Sequence, residues 1–287
     1  MTSTTDTDLA SAVAENVDRA LAEDVGSGDL TAGLIDPATQ AVATIICREA
    51  AVICGQPWVA EVLRRVAPSA RAQWFVPEGG RCEPNQKIVQ ISGSARELLT
   101  AERTCLNFLQ TLSAVATKTA QFVAQVQGTN AAIVDLRKTL PGLRVAQKYA
   151  VRCGGGKNHR MGLFDAVLIK ENHIAAAGGL RQAVEAARRV ADRASFIQVE
   201  VETLAQLQAA LDIGVNMLLL DNMPLERIRE AVRITAGRAS LEASGGVSLE
   251  SVRALAETGV DRISVGTLTK DVKAIDFSMR FSDKPVE

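Results

Sequence analysis

The chain has almost no net charge: 32 lysines and arginines stand against 33 aspartates and glutamates, leaving −1 at neutral pH. That lack argues against a general nucleic-acid binder, which needs a basic excess, so any anion binding has to come from local clustering. No apolar run approaches the ~20 residues a helix needs to cross a bilayer. The opening MTSTTDTDLASAVAENVD is polar and acidic, without the basic start and apolar stretch of a secretory signal. The expectation is a soluble, cytoplasmic protein that binds neither membrane nor nucleic acid. The five cysteines (Cys47, Cys54, Cys82, Cys105 and Cys153) are odd in number and include no CxxC pair. They lack the usual spacing of zinc and dithiol redox sites, which predicts reduced, mostly buried thiols. Aromatic residues are scarce, at 3%, yet 47% of the chain is hydrophobic. That suffices for a full core and, at this length, for one large α/β domain or two ordinary ones.

Leu9, Val13, Val17 and Leu21 recur every four residues, which predicts an amphipathic helix. EDVGSGDLT (23–31) breaks it with two glycines. AVATIICREAAVICG and QKIVQISG read as strands, with a helix near 57–66 between them. From Ser94 a long helical pattern carries Leu98, Leu99, Leu106, Leu109 and Leu112 on one face, and its length predicts a bend or break near 113–118. Beyond GTN the texture becomes a strand–helix alternation, with apolar strands beginning near 132, 165, 196, 216, 239 and 261. Such alternation implies a parallel sheet covered by helices. Either a barrel or an open sheet satisfies it. The polar strand ends favour the barrel, because closure brings all of them to one mouth. These ends are Arg137 and Lys138, Lys170 and Glu171, Glu200 and Glu202, Asp221 and Asn222, Glu242 and Ser244, and Ser264 and Gly266.

Three clusters at those ends carry chemistry. GGGKNHRMGLFDAVLIKENH (154–173) holds both histidines of the chain, His159 and His173, with Lys157, Arg160 and Lys170 but only two acids, Asp165 and Glu171. Together with Arg137 and Lys138 this stretch makes a cationic group. Gathering cations costs several kcal/mol per buried ion unless an anion joins them, so an external, multiply charged anion is the economical partner. The alternative is a solvated basic rim. The second cluster is acidic: Glu200, Glu202 and Asp221. Strand alternation puts Glu200 and Glu202 on one side, and carboxylates around a barrel mouth suit a hard cation such as Mg²⁺. Ion pairing with the cationic group is the alternative. The third cluster is small residues: ASGGV (243–247) and SVGT (264–267), each between a strand and a helix, where backbone N–H groups can hold phosphate. Ordinary tight connections are the alternative there.

With these residues assembled, the chain resembles the quinolinate phosphoribosyltransferase family. EDVGSGDLT, ERTCLNFLQTLSAVAT, RKTLPGLR, the 154–173 stretch, EVE, LLLDN and ASGG carry the resemblance, in that order along the chain. Leu136 and Leu140 depart from it, standing where the family commonly has threonine, and Leu136 is expected to point away from Arg137. The resemblance implies an α/β fold: an N-terminal α/β sandwich (1–115, with 270–287 packed on it) and an incomplete (β/α) barrel of about six to seven parallel strands (116–269). It implies a cytoplasmic, Mg²⁺-using homodimer with an active site shared between subunits. The implied reaction joins quinolinate to phosphoribosyl pyrophosphate in NAD biosynthesis, yielding nicotinate mononucleotide, pyrophosphate and carbon dioxide. Quinolinate falls to Arg137, Lys138, His159, Arg160 and Lys170, with Arg103 from the partner subunit and Lys148 as a further cation. Lys138, Lys170, Glu200 and Asp221 are the expected catalytic residues, Glu200 and Asp221 also serving Mg²⁺. Ser244, Gly245, Gly246, Ser264 and Gly266 would hold the 5-phosphate. The rival readings are a Schiff-base aldolase built on Lys170, a non-catalytic anion-binding regulator, and a related transferase acting on another aromatic acid.

Overall fold

The computed structural model describes residues 6–190, 192 and 194–281. Its strands are β1 (Gln40–Cys47), β2 (Ala51–Val52), β3 (Arg71–Trp74), β4 (Arg81–Cys82), β5 (Gln86–Ser94), β6 (Ala132–Val134), β7 (Val167–Ile169), β8 (Ile197–Val201), β9 (Met217–Asp221), β10 (Ser240–Ser244), β11 (Arg262–Ser264) and β12 (Phe277–Phe281). The α-helices are α1 (Asp6–Asp24), α2 (Gln56–Val66), α3 (Ala95–Gln125), α4 (Arg144–Cys153), α5 (Glu171–Ala176), α6 (Leu180–Arg188), α7 (Leu204–Asp212), α8 (Leu225–Thr235), α9 (Val252–Ala256) and α10 (Thr267–Lys270).

The chain divides into two compact units, and the division is not linear. Among the described residues, one holds 6–118, 140–154 and 271–281; the other holds 119–139 and the described part of 155–270. The segment 140–154, expected within the barrel domain, therefore belongs to the N-terminal unit. There, β12-β1-β5-β3 form an antiparallel sheet, so the chain's last described strand pairs with its first, Ile45 opposite Met279. α3 runs unbroken for 31 residues. The bend expected near 113–118 is absent because Ser113, Ala114, Val115 and Ala116 are all buried. Tertiary burial on several sides lets a helix exceed the usual length without a break.

The second unit is the incomplete barrel, a parallel sheet of six strands in the order β6-β11-β10-β9-β8-β7. Leu218, Leu219 and Leu220 in β9 are 0%, 2% and 0% exposed. Burial on both faces is what parallel strands require, and each such leucine contributes roughly 1.5–3 kcal/mol. The GGGKNHR segment extends the sheet at its β6 edge. Lys157 bridges Val134 in parallel fashion, its N–H donates to Ile133 O (2.8 Å), and Asp135 N–H donates back to Lys157 O (3.2 Å). No helix among the described residues is long and apolar enough to cross a membrane.

Candidate active site

A cavity of about 780 Å³ opens at the C-terminal ends of the barrel strands. Its lining includes Arg137, Lys138, Arg160, Lys170, Glu200 and Asp221, with the 244–246 and 264–267 turns. Each residue arrives by a local device. β6 stops at Val134, and Asp135 at its end accepts the backbone N–H of His159 (2.8 Å), tying the 154–160 loop to that strand end. Asp165 accepts the N–H groups of Met161 (2.8 Å) and Gly162 (2.9 Å). Two carboxylates in this region thus hold loop backbone, and both are buried.

Arg160 is the electrostatic centre of the cavity. Its guanidinium is held below the usual arginine range, first by burial and then by the positive charge of Arg137, with Asp165 acting in the opposite direction. A half-buried guanidinium set near a second positive charge suits a doubly anionic ligand. Arg160 Nη1 also donates to Ala166 O (3.2 Å), which fixes its approach. Lys170 begins α5, where its N–H donates to His173 Nδ1 (3.0 Å). His173 therefore caps a helix, at an exposed position.

Lys170 Nζ lies 2.7 Å from Glu200 Oε2. The acidic and cationic clusters meet here, so ion pairing between them is real. Glu200 and Asp221 end the adjacent strands β8 and β9, and both line the cavity. Glu202 does not join them. β8 stops at Val201, and a capping box follows: Gln206 Oε1 accepts the N–H groups of Glu202 (2.8 Å) and Thr203 (3.0 Å), while Thr203 Oγ1 accepts Gln206 N–H (3.2 Å). Strand alternation ends one residue too early for Glu202, which is exposed.

The 244–246 turn has a backbone that only glycine adopts freely. Gly245 has φ +110° and Gly246 φ +57°. A β-carbon on Gly245 would collide with the Asn222 side chain, itself on a residue with φ +52°. Asn222 N–H donates to Ser244 O (2.9 Å), locking the two strand ends together. Gly266 lies under Lys138, whose Cδ would be 3.1 Å from an added β-carbon.

Ser244, Gly245, Gly246, Ser264, Gly266 and His159 all border the cavity. Leu136 borders it too. Arg103 is exposed on α3 in the N-terminal unit, and Lys148 is fully buried on α4 in that same unit. Reading the strands as uniformly apolar missed a polar layer inside the barrel, made of Gln198, Glu242 and Arg262. Its signal was a polar residue at an inward position in each of IQVEV, SLEAS and DRIS.

A parallel barrel whose strand ends bring several cations, two carboxylates and small-residue turns around one cavity defines an enzyme for phosphorylated, multiply anionic small molecules. Matching is extensive: "Quinolinate phosphoribosyl transferase, C-terminal domain" covers residues 115–280 and the corresponding N-terminal domain covers 29–113. The chain belongs to the quinolinate phosphoribosyl transferase family. It is 43% identical over 275 residues to the nicotinate-nucleotide pyrophosphorylase (carboxylating) of Mycobacterium leprae, covering 93% of this chain and 96% of that one. It is 39% identical over 257 residues to the probable nicotinate-nucleotide pyrophosphorylase (carboxylating) of Bacillus subtilis, covering 90% and 89% of the two chains. The solved nicotinate-nucleotide pyrophosphorylase of Francisella tularensis superposes with a TM-score of 0.92 at 43% identity, covering 95% of this chain and 97% of that one.

Proposed function

We infer that the protein transfers the phosphoribosyl group of phosphoribosyl pyrophosphate to quinolinate with loss of carbon dioxide, giving nicotinate mononucleotide and pyrophosphate for NAD biosynthesis. The observation that carries this reading is that Arg137 and Arg160 line one cavity, where the charge of Arg137 acts against that of the part-buried Arg160 and a dicarboxylate would answer both. Lys138 and Lys170 add two ammonium groups to the same wall.

The chemistry asks mainly for positioning and electrostatics. The pyridine nitrogen attacks the anomeric carbon as its bond to pyrophosphate breaks. Glu200 and Asp221 face the positive charge that develops on the sugar. The 244–246 and 264–267 turns supply backbone N–H groups for the 5-phosphate. The resulting pyridinium then releases its 2-carboxylate as carbon dioxide. The bonding pair stays on the ring carbon, stabilised by the adjacent positive nitrogen, until that carbon takes up a proton. No step requires a covalent bond to the enzyme. The aldolase alternative fits less well, because Lys170 is half-exposed and paired with Glu200 rather than held in a dry pocket.

The donor set also fits Mg²⁺. Glu200 and Asp221 offer hard oxygens on neighbouring strand ends, and a diphosphate would supply further ones. When bound, the ion would neutralise charge on the pyrophosphate leaving group. Arg103, exposed on its helix, serves a second subunit's cavity in this reading, which makes the working form a homodimer with a shared site. A cytoplasmic location agrees with the five free cysteines, all but Cys153 fully buried. The test is stoichiometric release of pyrophosphate and carbon dioxide on mixing the protein with quinolinate, phosphoribosyl pyrophosphate and Mg²⁺. Turnover of nicotinate in preference to quinolinate would overturn the substrate assignment.

A further inference from the structure

His159 was expected to meet quinolinate as a cation, but its ring is committed elsewhere. The side chain is 3% exposed. Its Nδ1 accepts the backbone N–H of Arg160 at 2.8 Å. A backbone N–H can only donate, so Nδ1 carries no proton. Its Nε2 lies 2.8 Å from Gln198 Oε1, and the Gln198 amide nitrogen lies 3.3 Å from Glu242 Oε2. A carboxylate here can only accept, so the amide must present its NH₂ to Glu242 and its oxygen to the histidine. His159 Nε2 is therefore the protonated nitrogen. An imidazolium would set an Nδ1–H against the Arg160 N–H, donor facing donor, and is excluded by this geometry.

The relay continues across the barrel interior. Glu242, fully buried on β10, accepts from Arg262 Nε (2.8 Å) and from Ser264 Oγ, both on β11. Gln198 is on β8, two strands from β10 in the sheet order, so these side chains meet through the lumen rather than along one ladder. The charged groups facing the ring are Glu242, whose Oε1 is 3.7 Å from Nε2, and beyond it Arg262. Asp135 holds the residue's own N–H, and the Phe196 ring meets the imidazole edge-on, with centroids 5.1 Å apart. Glu242 and Arg262 already balance each other's charge, which leaves no call for a second cation in the layer.

We propose that Gln198 and Glu242 are positioning residues that hold His159 as the neutral, Nε2-protonated tautomer, so that its Nδ1 anchors the backbone of Arg160 and aims that guanidinium at the anionic substrate. The substrate part of this assignment rests on the functional reading above; the tautomer does not. His159 acts here as a spacer between a rigid barrel interior and the cation that does the binding. A spacer of this kind is useful because a side chain as long as arginine loses binding strength when its backbone can drift.

The chain has only two histidines, so ¹⁵N-histidine labelling resolves the question directly, with His173→Asn giving the assignment. The expected His159 spectrum shows one unprotonated nitrogen, Nδ1, and one protonated nitrogen, Nε2, between pH 6 and 8. An imidazolium, or the opposite tautomer, overturns the proposal whatever the substrate proves to be. In the second arm, Gln198→Leu is expected to abolish the fixed Nε2–H pattern and to raise the quinolinate KM about tenfold, the effect of one lost hydrogen bond. The KM for phosphoribosyl pyrophosphate should stay close to wild type, while the melting temperature falls by a few degrees as the His159 Nε2–H and Glu242 each lose a buried partner. Parallel changes in both KM values, or no change in either, would defeat the positioning role. Absence of quinolinate turnover in the wild type would remove the functional reading while leaving the tautomer result standing.

Discussion

Lys170 Nζ sits 2.7 Å from Glu200 Oε2, so the cationic and acidic halves of the cavity are joined by one ion pair. The lysine is 46% exposed. Exposed pairs of this sort contribute about 0–1 kcal/mol. Lys170→Ala should therefore leave the melting temperature nearly unchanged while lowering kcat/KM at least about a hundredfold, the scale of one lost charged contact in a transition state. Thermal unfolding and steady-state kinetics on the same preparation check both halves. A variant that melts early would mean the pair is structural.

Arg160 shares its charge environment with Arg137 and also donates to Ala166 O. A lysine cannot reproduce the planar fork or both directions of hydrogen bonding. Arg160→Lys should raise the quinolinate KM about ten- to a hundredfold, with a smaller effect on phosphoribosyl pyrophosphate. An arginine side chain keeps its proton at any ordinary pH, so wild-type quinolinate binding should show no loss between pH 7 and 9 that traces to this residue. Separate KM measurements for the two substrates across that range decide it.

Gly245→Ala should damage phosphoribosyl pyrophosphate binding selectively. The position has φ +110°, and the new methyl would strike Asn222. Strain in this region costs on the order of 1–3 kcal/mol. Equilibrium dialysis with each substrate alone would show weakened binding of the phosphorylated one and intact quinolinate binding. Equal loss of both would place the turn's importance in folding.

The shared-site reading predicts complementation. Arg103→Ala and Lys170→Ala should each be nearly inactive, yet a heterodimer of the two should regain turnover at the one cavity that receives intact residues from both chains. Differently tagged subunits, purified in tandem and assayed, give the answer. Inactive heterodimers would confine the site to one chain.

Thiol chemistry offers a test of packing. The Cys153 thiol is pulled below its ordinary range, chiefly by a hydrogen bond from Cys54, whereas burial pushes Cys54 well up and Cys105 up to about 12. A lower thiol pKa means more thiolate at a given pH. At pH 7.5, iodoacetamide should label Cys153 first and leave Cys54 and Cys105 untouched until unfolding, as read by peptide mass spectrometry. Early labelling of Cys105 would contradict the burial of α3.

The barrel strands, the first helix and the glycine turns were legible because each has a local cause: period in the apolar pattern, or a backbone conformation that favours glycine. The break expected in α3 and the place given to Glu202 failed for the opposite reason. Helix length was decided by burial around Ser113–Ala116, and the end of β8 by the short capping box Thr203–Gln206. Neither is visible to a rule about periodicity.

The order of polar residues along the chain determined which side chains could reach the barrel mouth, since parallel strands all deliver their C-terminal ends to one side. It could not determine their charge state or their partners. Only the folded sheet brings Gln198 to Glu242 across an intervening strand and sets Glu242 beside Arg262, residues separated by 44 and 20 positions. Hydrogen bonds at that separation arise from the parallel pairing of distant strands in one sheet, and in the proposed arrangement they turn His159 from an expected cation into a neutral support for Arg160.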